Sequence, residues 1–277
     1  MRAALLQLTS GDDPEANRAA LVPMVRQAAA EGARLICTPE VTNVFAVSRA
    51  RREAMVVRED EDLVIDALRD EAARAGAYIA LGSAAVRTDR ADGRLANRSL
   101  LIGPDGQILA RYDKIHMFDV SLPDGESFRE SAAYAPGDRA VVAEVDGRKV
   151  GLTICYDLRF PHLYRALSKA GAEILLVPSA FATTTGRAHW EVLLRARAIE
   201  CGAYVLAAAQ TGTHPVSDGA KPRRTWGHSL AVGPWGEVLA DAGTDPGVTL
   251  VDLDFAAVES ARSRVPALTH DREFTGP

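Results

Sequence analysis

Along this chain, apolar positions recur first with the period of a strand and then with the period of a helix, and the two patterns alternate from end to end. Ala3–Leu8 reads as a strand. Asp13-Pro14 then supplies a capping carboxylate and a proline at the first helical position, which predicts an amphipathic helix to about Glu31, ended by Gly32. Leu35-Ile36-Cys37 reads as a short buried strand, residues 60–75 as a helix with a charged face stopped by Gly76, and Ala77–Ser83 as the next strand. Pro104-Asp105-Gly106 and Asp146-Gly147 mark hairpin turns between β-prone runs. Further on, Ile174–Val177 and Tyr204–Ala208 predict buried strands, with a helix from about His189 to Cys201 between them. This alternation predicts an α/β fold. No low-complexity linker divides the chain, so residues 1–277 are expected to form a single domain, with 266–277 as a C-terminal tail.

One internal similarity bears on the architecture. Ser99–Ala110 (SLLIGPDGQILA) and Ser229–Ala240 (SLAVGPWGEVLA) share seven of twelve residues, and each reads as strand, tight turn, strand. Gly-Pro-x-Gly turns are common to hairpins of any origin. The structural alternative is a sandwich of two sheets with related edges.

Composition narrows the partners. The chain is 47% hydrophobic and 25% charged, the balance of an ordinary soluble protein. Its 37 acidic and 32 basic residues give a net charge of −5, the wrong sign for a general binder of nucleic acid or anionic membrane, which leaves small solutes. The N-terminal apolar run is broken by Gln7 and followed by two aspartates, so no export signal is expected, the three cysteines are expected reduced, and the protein is read as cytoplasmic. The uncharged stretch Cys201–Ser217 is too polar to span a membrane. Cys-x-x-Cys, His-Glu-x-x-His and glycine-rich nucleotide loops are all missing, so neither metal nor nucleotide cofactor is expected.

Three expected strand ends carry reactive groups, and α/β proteins place ligands beyond such ends. Thr38-Pro39-Glu40 presents a carboxylate, Arg111-Tyr-Asp-Lys114 an ammonium, and Val150-Gly-Leu-Thr-Ile-Cys155 a thiol. A thiol is largely protonated at neutral pH, so a catalytic cysteine needs a base or a nearby positive charge. Glu40 could take the proton as Cys155 attacks a carbonyl carbon, while Lys114 and the backbone N–H of Tyr156 hold the oxyanion. A cysteine ending a buried strand also serves as a small core hydrophobe, and Glu40 and Lys114 could be surface charges. A second scheme makes His162 the base, oriented by Asp157.

Several segments carry a family resemblance: Thr38-Pro39-Glu40, Tyr112-Asp-Lys-Ile-His-Met-Phe-Asp119, Phe128-Arg-Glu-Ser131, Gly151-Leu-Thr-Ile-Cys-Tyr-Asp-Leu-Arg-Phe160, Pro178-Ser-Ala-Phe181, Gly186-Arg-Ala-His-Trp-Glu191 and Trp226-Gly-His-Ser229. With these, the chain resembles the nitrilase, or carbon–nitrogen hydrolase, superfamily from Ala3 to about Pro266. The resemblance implies a four-layer αββα sandwich, paired as a homodimer or higher homo-oligomer. It implies a Glu40, Lys114 and Cys155 triad, with Glu130 as a second carboxylate near the lysine. The implied reaction is amide hydrolysis through a thioester with no cofactor. Cys155 attacks, ammonia leaves after protonation by Glu40, and a water activated by Glu40 releases the acid.

Within the superfamily, Pro178-Ser-Ala-Phe181 and the segment from Ala188 to Glu200 look most like the deaminated glutathione amidases. The ω-amidases of 2-oxoglutaramate and 2-oxosuccinamate are the alternative, with nitrilases and N-carbamoyl-amine hydrolases further off. Ser179 and Ala182 depart from the usual ω-amidase pattern. A substrate carrying carboxylate calls for cations. Arg159, four residues past the nucleophile, is the first candidate, with Phe181 as wall and the hydroxyls of Thr183, Thr184 and Thr185 as hydrogen-bond partners. Arg195 and Arg197 are expected on the solvated or dimer-facing side of their helix, and Lys221-Pro-Arg-Arg224 in a solvated loop, with attraction of anions to the mouth of the site as its alternative role. The C-terminal His270-Asp-Arg-Glu-Phe274 departs from the family pattern.

Overall fold

Asp13 and Asp62 each stand immediately before a helix and turn a carboxylate onto its first free amides, Asp13 onto Glu15 and Ala16 and Asp62 onto Val64 and Ile65. Gly76 ends the second of these helices in the left-handed conformation, at φ 59°. The computed structural model describes residues 1–123 and 125–276. The chain opens with β1 (Arg2–Gln7), α1 (Pro14–Ala30), β2 (Leu35–Cys37), α2 (Arg49–Met55), α3 (Leu63–Ala75) and β3 (Tyr78–Val86). It continues through β4 (Ala96–Ile102), β5 (Ile108–Asp113), β6 (Asp119–Ser121), β7 (Ser127–Arg129), β8 (Val141–Val145), β9 (Arg148–Leu152), α4 (Pro161–Lys169) and β10 (Ile174–Leu176). It closes with α5 (Thr183–Cys201), β11 (Tyr204–Ala207), β12 (Thr211–Thr213), β13 (Arg224–Trp226), β14 (Leu230–Val232), β15 (Val238–Asp241), β16 (Gly247–Asp252) and α6 (Phe255–Arg264).

Two six-stranded sheets result, ordered β16-β1-β2-β3-β4-β5 and β15-β14-β11-β10-β9-β8. Each has three parallel central strands, an antiparallel hairpin at one edge and a single antiparallel strand at the other. The two segments of similar sequence are those edge hairpins, β4–β5 and β14–β15. The likeness extends to detail: the register slips between Leu101 and Ile102 in one and between Ala231 and Val232 in the other, at equivalent positions. In each turn the first glycine pairs with the residue four on, and the second glycine, Gly106 or Gly236, bonds back to the first at positive φ. The sandwich with related edges is therefore the correct reading of the similarity.

Strand periodicity sorts the core into layers. Ala3, Leu5, Leu35 and Leu101 face Val150, Leu152, Ile174 and Leu176 of the other sheet. Their sequence neighbours Ala4, Leu6, Ile36 and Leu100 point outward onto Leu21, Val25, Leu68 and Ala72 of α1 and α3. Leu163, Leu167, Trp190 and Leu194 of α4 and α5 cover the far face of the second sheet. The layers are helix, sheet, sheet, helix. α5 starts at Thr183 rather than near His189, because Ala182 before it has no side chain to mark a cap. Beyond α6, Ala267 and Asp271 are held by Arg165, and Asp271 also by Lys169, which pins this end of the chain to α4.

Candidate active site

The carboxyl ends of both sheets open on one cavity of about 360 Å³, whose wall includes Glu40, Lys114, Glu130, Cys155, Tyr156 and Phe181. Hydrogen bonds running between the sheets bring these chain segments together. Asp157, two residues after Cys155 and fully buried, accepts from the Tyr112 hydroxyl at 2.7 Å, two residues before Lys114. Gln210 donates Nε2 to the Glu40 carbonyl at 3.0 Å. The nucleophile turn, the lysine strand and the glutamate loop are thus tied through buried polar groups, which are costly to break singly.

Backbone geometry at two of these points is unusual. Cys155 opens a 3-10 turn over Cys155–Arg159 at φ 49°, and its N–H donates to Pro178 O at 2.9 Å. Val41, next to Glu40, sits at φ 47°, a region that β-branched residues rarely enter, and its N–H is caught by Ser83 Oγ at 2.9 Å. Such conformations cost about 1–3 kcal/mol and persist where the surroundings dictate them.

Lys114 Nζ lies 2.9 Å from Glu40 Oε1 and 2.8 Å from Glu130 Oε2, with both side chains of the first pair almost fully buried. Asn97 Nδ2 bridges the same two carboxylates at 2.9 and 3.2 Å. The other oxygen of Glu40 accepts from Ala180 N–H at 2.8 Å. Burial alone would push the Glu40 carboxyl up, but the Lys114 ammonium, with hydrogen bonds from lysine, thiol and Ala180, holds it below the ordinary glutamate range. Burial would likewise lower Lys114, and the charges of Glu130 and Glu40 carry it well above the lysine range instead. Burial together with the negative charge of Glu40 pushes the Cys155 thiol up, Lys114 opposing. At rest the three groups are carboxylate, ammonium and neutral thiol. Tyr156 follows in the first turn of the 3-10 helix, where an N–H lacks an intrahelical partner. A base near a thiol, beside a fixed ammonium and an unpaired amide, can deliver sulfur to an electrophilic carbon and hold the oxygen that becomes negative.

Not every expected residue meets at the cavity. Phe181 and Thr185 line it; Arg159, Thr183 and Thr184 do not. The Arg159 guanidinium lies over the rings of Tyr156 and Phe181 and 3.3 Å from His189 Nδ1. His162 is exposed, and Asp157 serves Tyr112, His116 and Ile154 N–H instead, so the His162 scheme has no geometry behind it. Arg197 is buried, with Nε on Leu158 O at 2.9 Å, which supports the nucleophile turn from below rather than facing solvent. Arg223, expected in a solvated loop, stands on the cavity wall, as do Arg52 and Arg129. Among the described residues these three arginines bond to main-chain carbonyls and have no carboxylate within 4 Å. Among the described residues the wall therefore sets four cations, Lys114 and the three arginines, against two carboxylates, Glu40 and Glu130.

Comparison with known proteins agrees with this construction. The carbon-nitrogen hydrolase family model matches residues 2–263. A deaminated glutathione amidase from Yersinia enterocolitica is 40% identical over 97% of this chain and 92% of its own. An omega-amidase from Homo sapiens is 35% identical over 98% and 95%. Among solved structures, the NitFhit protein of C. elegans superposes with a TM-score of 0.88 at 33% identity, over 98% of this chain and 65% of that longer one. An amidase from Nesterenkonia sp. AN1, with a TM-score of 0.76 at 29% identity over 96% of this chain and 98% of its own, carries acrylamide added at its active-site cysteine. On these grounds, and on the site its strand ends assemble, the chain belongs to the carbon-nitrogen hydrolase family and is a hydrolase of carbon–nitrogen bonds other than peptide bonds.

Proposed function

We propose that Cys155 is the nucleophile of a thiol amidase, with Glu40 as its base, Lys114 and the Tyr156 N–H as oxyanion donors, and Glu130 as the group that keeps Lys114 charged and aimed. The observation that carries this reading is that Glu40, paired with the Lys114 ammonium at 2.9 Å, shares one cavity wall with Cys155. As sulfur attacks the amide carbon, its proton passes to Glu40. Glu40 then returns that proton to the departing nitrogen, leaving a thioester. A water gives a proton to Glu40, its hydroxide adds to the thioester, and the acid departs as the thiol is restored.

The substrate we propose is the amide of a small 2-oxo acid, and foremost deaminated glutathione. The cationic wall supports an anionic substrate, and the relatives named for that activity support this one. Deaminated glutathione carries two carboxylates, against one on 2-oxoglutaramate, and so matches an excess of two cations better. For that substrate the departing group is cysteinylglycine, an amine, rather than the ammonia expected of a primary amide. An ω-amidase is the second reading, favoured by the human relative.

The test measures carboxylic acid product, 2-oxoglutarate in both cases, from deaminated glutathione and 2-oxoglutaramate, alongside a simple nitrile and an N-carbamoyl amino acid. Cys155→Ala is expected to abolish turnover and the acyl-enzyme mass, and activity in that variant overturns the assignment. We further propose a cytoplasmic dimer. The three buried, unbridged cysteines support the compartment. The pairing is supported by a patch in which exposed Val192 and Ile199 of α5 adjoin exposed Trp235, Val238 and Leu239 of the β14–β15 hairpin.

A further inference from the structure

The cavity wall holds one cation whose surroundings are built and whose charge is unanswered. Arg223 lies between two rings, its guanidinium carbon 4.7 Å from the Phe128 centroid and 5.5 Å from that of Phe45. Phe45 is itself stacked on His214 at 3.8 Å and 10°. His214 in turn donates its backbone N–H to Arg223 O at 2.9 Å, so the same buried histidine fixes the arginine's main chain and, through Phe45, its side chain. The histidine ring sits between Ser10 O at 2.7 Å and Thr225 Oγ1 at 2.8 Å. A carbonyl can only accept, so Nδ1 carries the proton toward Ser10 O. Burial, with the charge of Arg223, holds His214 down to about 4. No second cation therefore explains the arginine's position.

The guanidinium is oriented but not paired. Nη2 donates to Ala180 O at 3.0 Å, while Nε is buried with no hydrogen-bond partner among the described residues. Leaving such a donor unmade is costly, and a guanidinium drawn between rings without an anion loses hydration for nothing. Ala180 is also the residue whose N–H holds Glu40, so the guanidinium and the proposed base grip opposite ends of one residue. Arg223 and Cys155 line the same cavity, so a molecule that offers its carbonyl to Cys155 shares that space with Arg223. Arg52 and Arg129 lack this fixed setting: each gives Nη1 to two main-chain carbonyls, with no ring beneath it among the described residues.

We propose that Arg223 is the counter-ion for a carboxylate of the substrate, and so a specificity-determining residue for anionic over neutral amides. This rests on the amidase reading given above. A planar, weakly hydrated guanidinium held against aromatic faces suits a carboxylate better than an ammonium would, since it offers two parallel donors and loses little freedom on pairing.

The experiment compares substrates that differ by a single charge: deaminated glutathione against its C-terminal glycinamide, and 2-oxoglutaramate against its methyl ester. Wild-type enzyme is expected to prefer the charged member in kcat/KM. Arg223→Gln is expected to shrink that preference at least tenfold in one pair or the other, chiefly through KM, and the pair that changes identifies which carboxylate is held. Arg223→Lys is expected to fall between, keeping charge without the fork. Equal losses on both members of each pair, or no loss, overturn the proposal. Should the wild type cleave none of these amides, the amidase reading fails by itself. Arg223 is then still tested by calorimetric binding of 2-oxoglutarate to Cys155→Ala: at least tenfold weaker binding with Arg223→Gln added upholds the assignment, and equal binding refutes it.

Discussion

At the scale of single residues, the site is governed by charges that burial alone would have extinguished. Glu40 has its pKa depressed in the fold, so its contribution to stability is present above the ordinary glutamate range and is lost only as pH falls through the lower folded value. Lys114 is raised, so its contribution holds below the ordinary lysine range and is lost only as pH rises through the higher folded value. Between about pH 5 and about pH 10 neither group changes state. The expected kcat/KM profile has no limb from this pair inside that window, and an acid limb above pH 6 that disappears in Glu40→Gln would contradict the assignment. Residue chemistry was also the most legible part of the site. A carboxylate, an ammonium and a thiol at three strand ends are visible in the sequence without coordinates. Asn97 and Arg223 were not. Asn97 looks like the outward-facing polar residue of a strand, and Arg223 sits in a Lys-Pro-Arg-Arg run that resembles any solvated loop until Phe45, far away in sequence, is folded beneath it. Arg159 lies behind Tyr156 and Phe181 rather than on the cavity lining, because nearness to the nucleophile along the chain does not fix which way a side chain points.

At the scale of elements, capping and turn residues specify more than the strands do. Asp13 and Gly76 mark two helix ends in the sequence, whereas the Asp62 cap emerges only in the structure and the start of α5 carries no punctuation. The edge hairpins were legible as hairpins, but their equivalence in two separate sheets needed the pairing itself. Within β3 one residue is decisive. A Cβ on Gly82 would lie 2.0 Å from Thr38 O, 2.5 Å from Pro39 O and 2.4 Å from Pro178 Cβ. The first two atoms precede Glu40, and Pro178 accepts the Cys155 N–H. Gly82 is required by space, not by backbone angle, because the loops carrying base and nucleophile converge on it from both sheets. Gly82→Ala is expected to lower stability by about 2 kcal/mol or more and to cut kcat disproportionately. Thermal melting and steady-state kinetics on the same preparation check this, and an unchanged melt with full activity refutes it.

At the scale of the whole molecule, the apolar face formed by α5 and the β14–β15 hairpin is the surface that a four-layer sandwich leaves uncovered. Ile199 packs against the hairpin turn at Gly236, and Arg195 Nε donates to Gly236 O at 2.8 Å, so the patch is one continuous plate. This plate is the proposed dimer face. Val192→Asp combined with Trp235→Asp is expected to convert a dimer to monomer in sedimentation velocity, and a monomeric wild type would refute the pairing. The face also touches the site, since α5 begins at the cavity with Thr185 and carries Arg197 beneath the nucleophile turn.

The thiol that waits against Glu40 has a consequence for the protein's life in the cell. Peroxides and electrophilic metabolites attack the ionised form of sulfur, and this sulfur is both sheltered and protonated until an amide carbon is presented to it. In the proposed mechanism such an atom is armed by its substrate rather than standing ionised between turnovers.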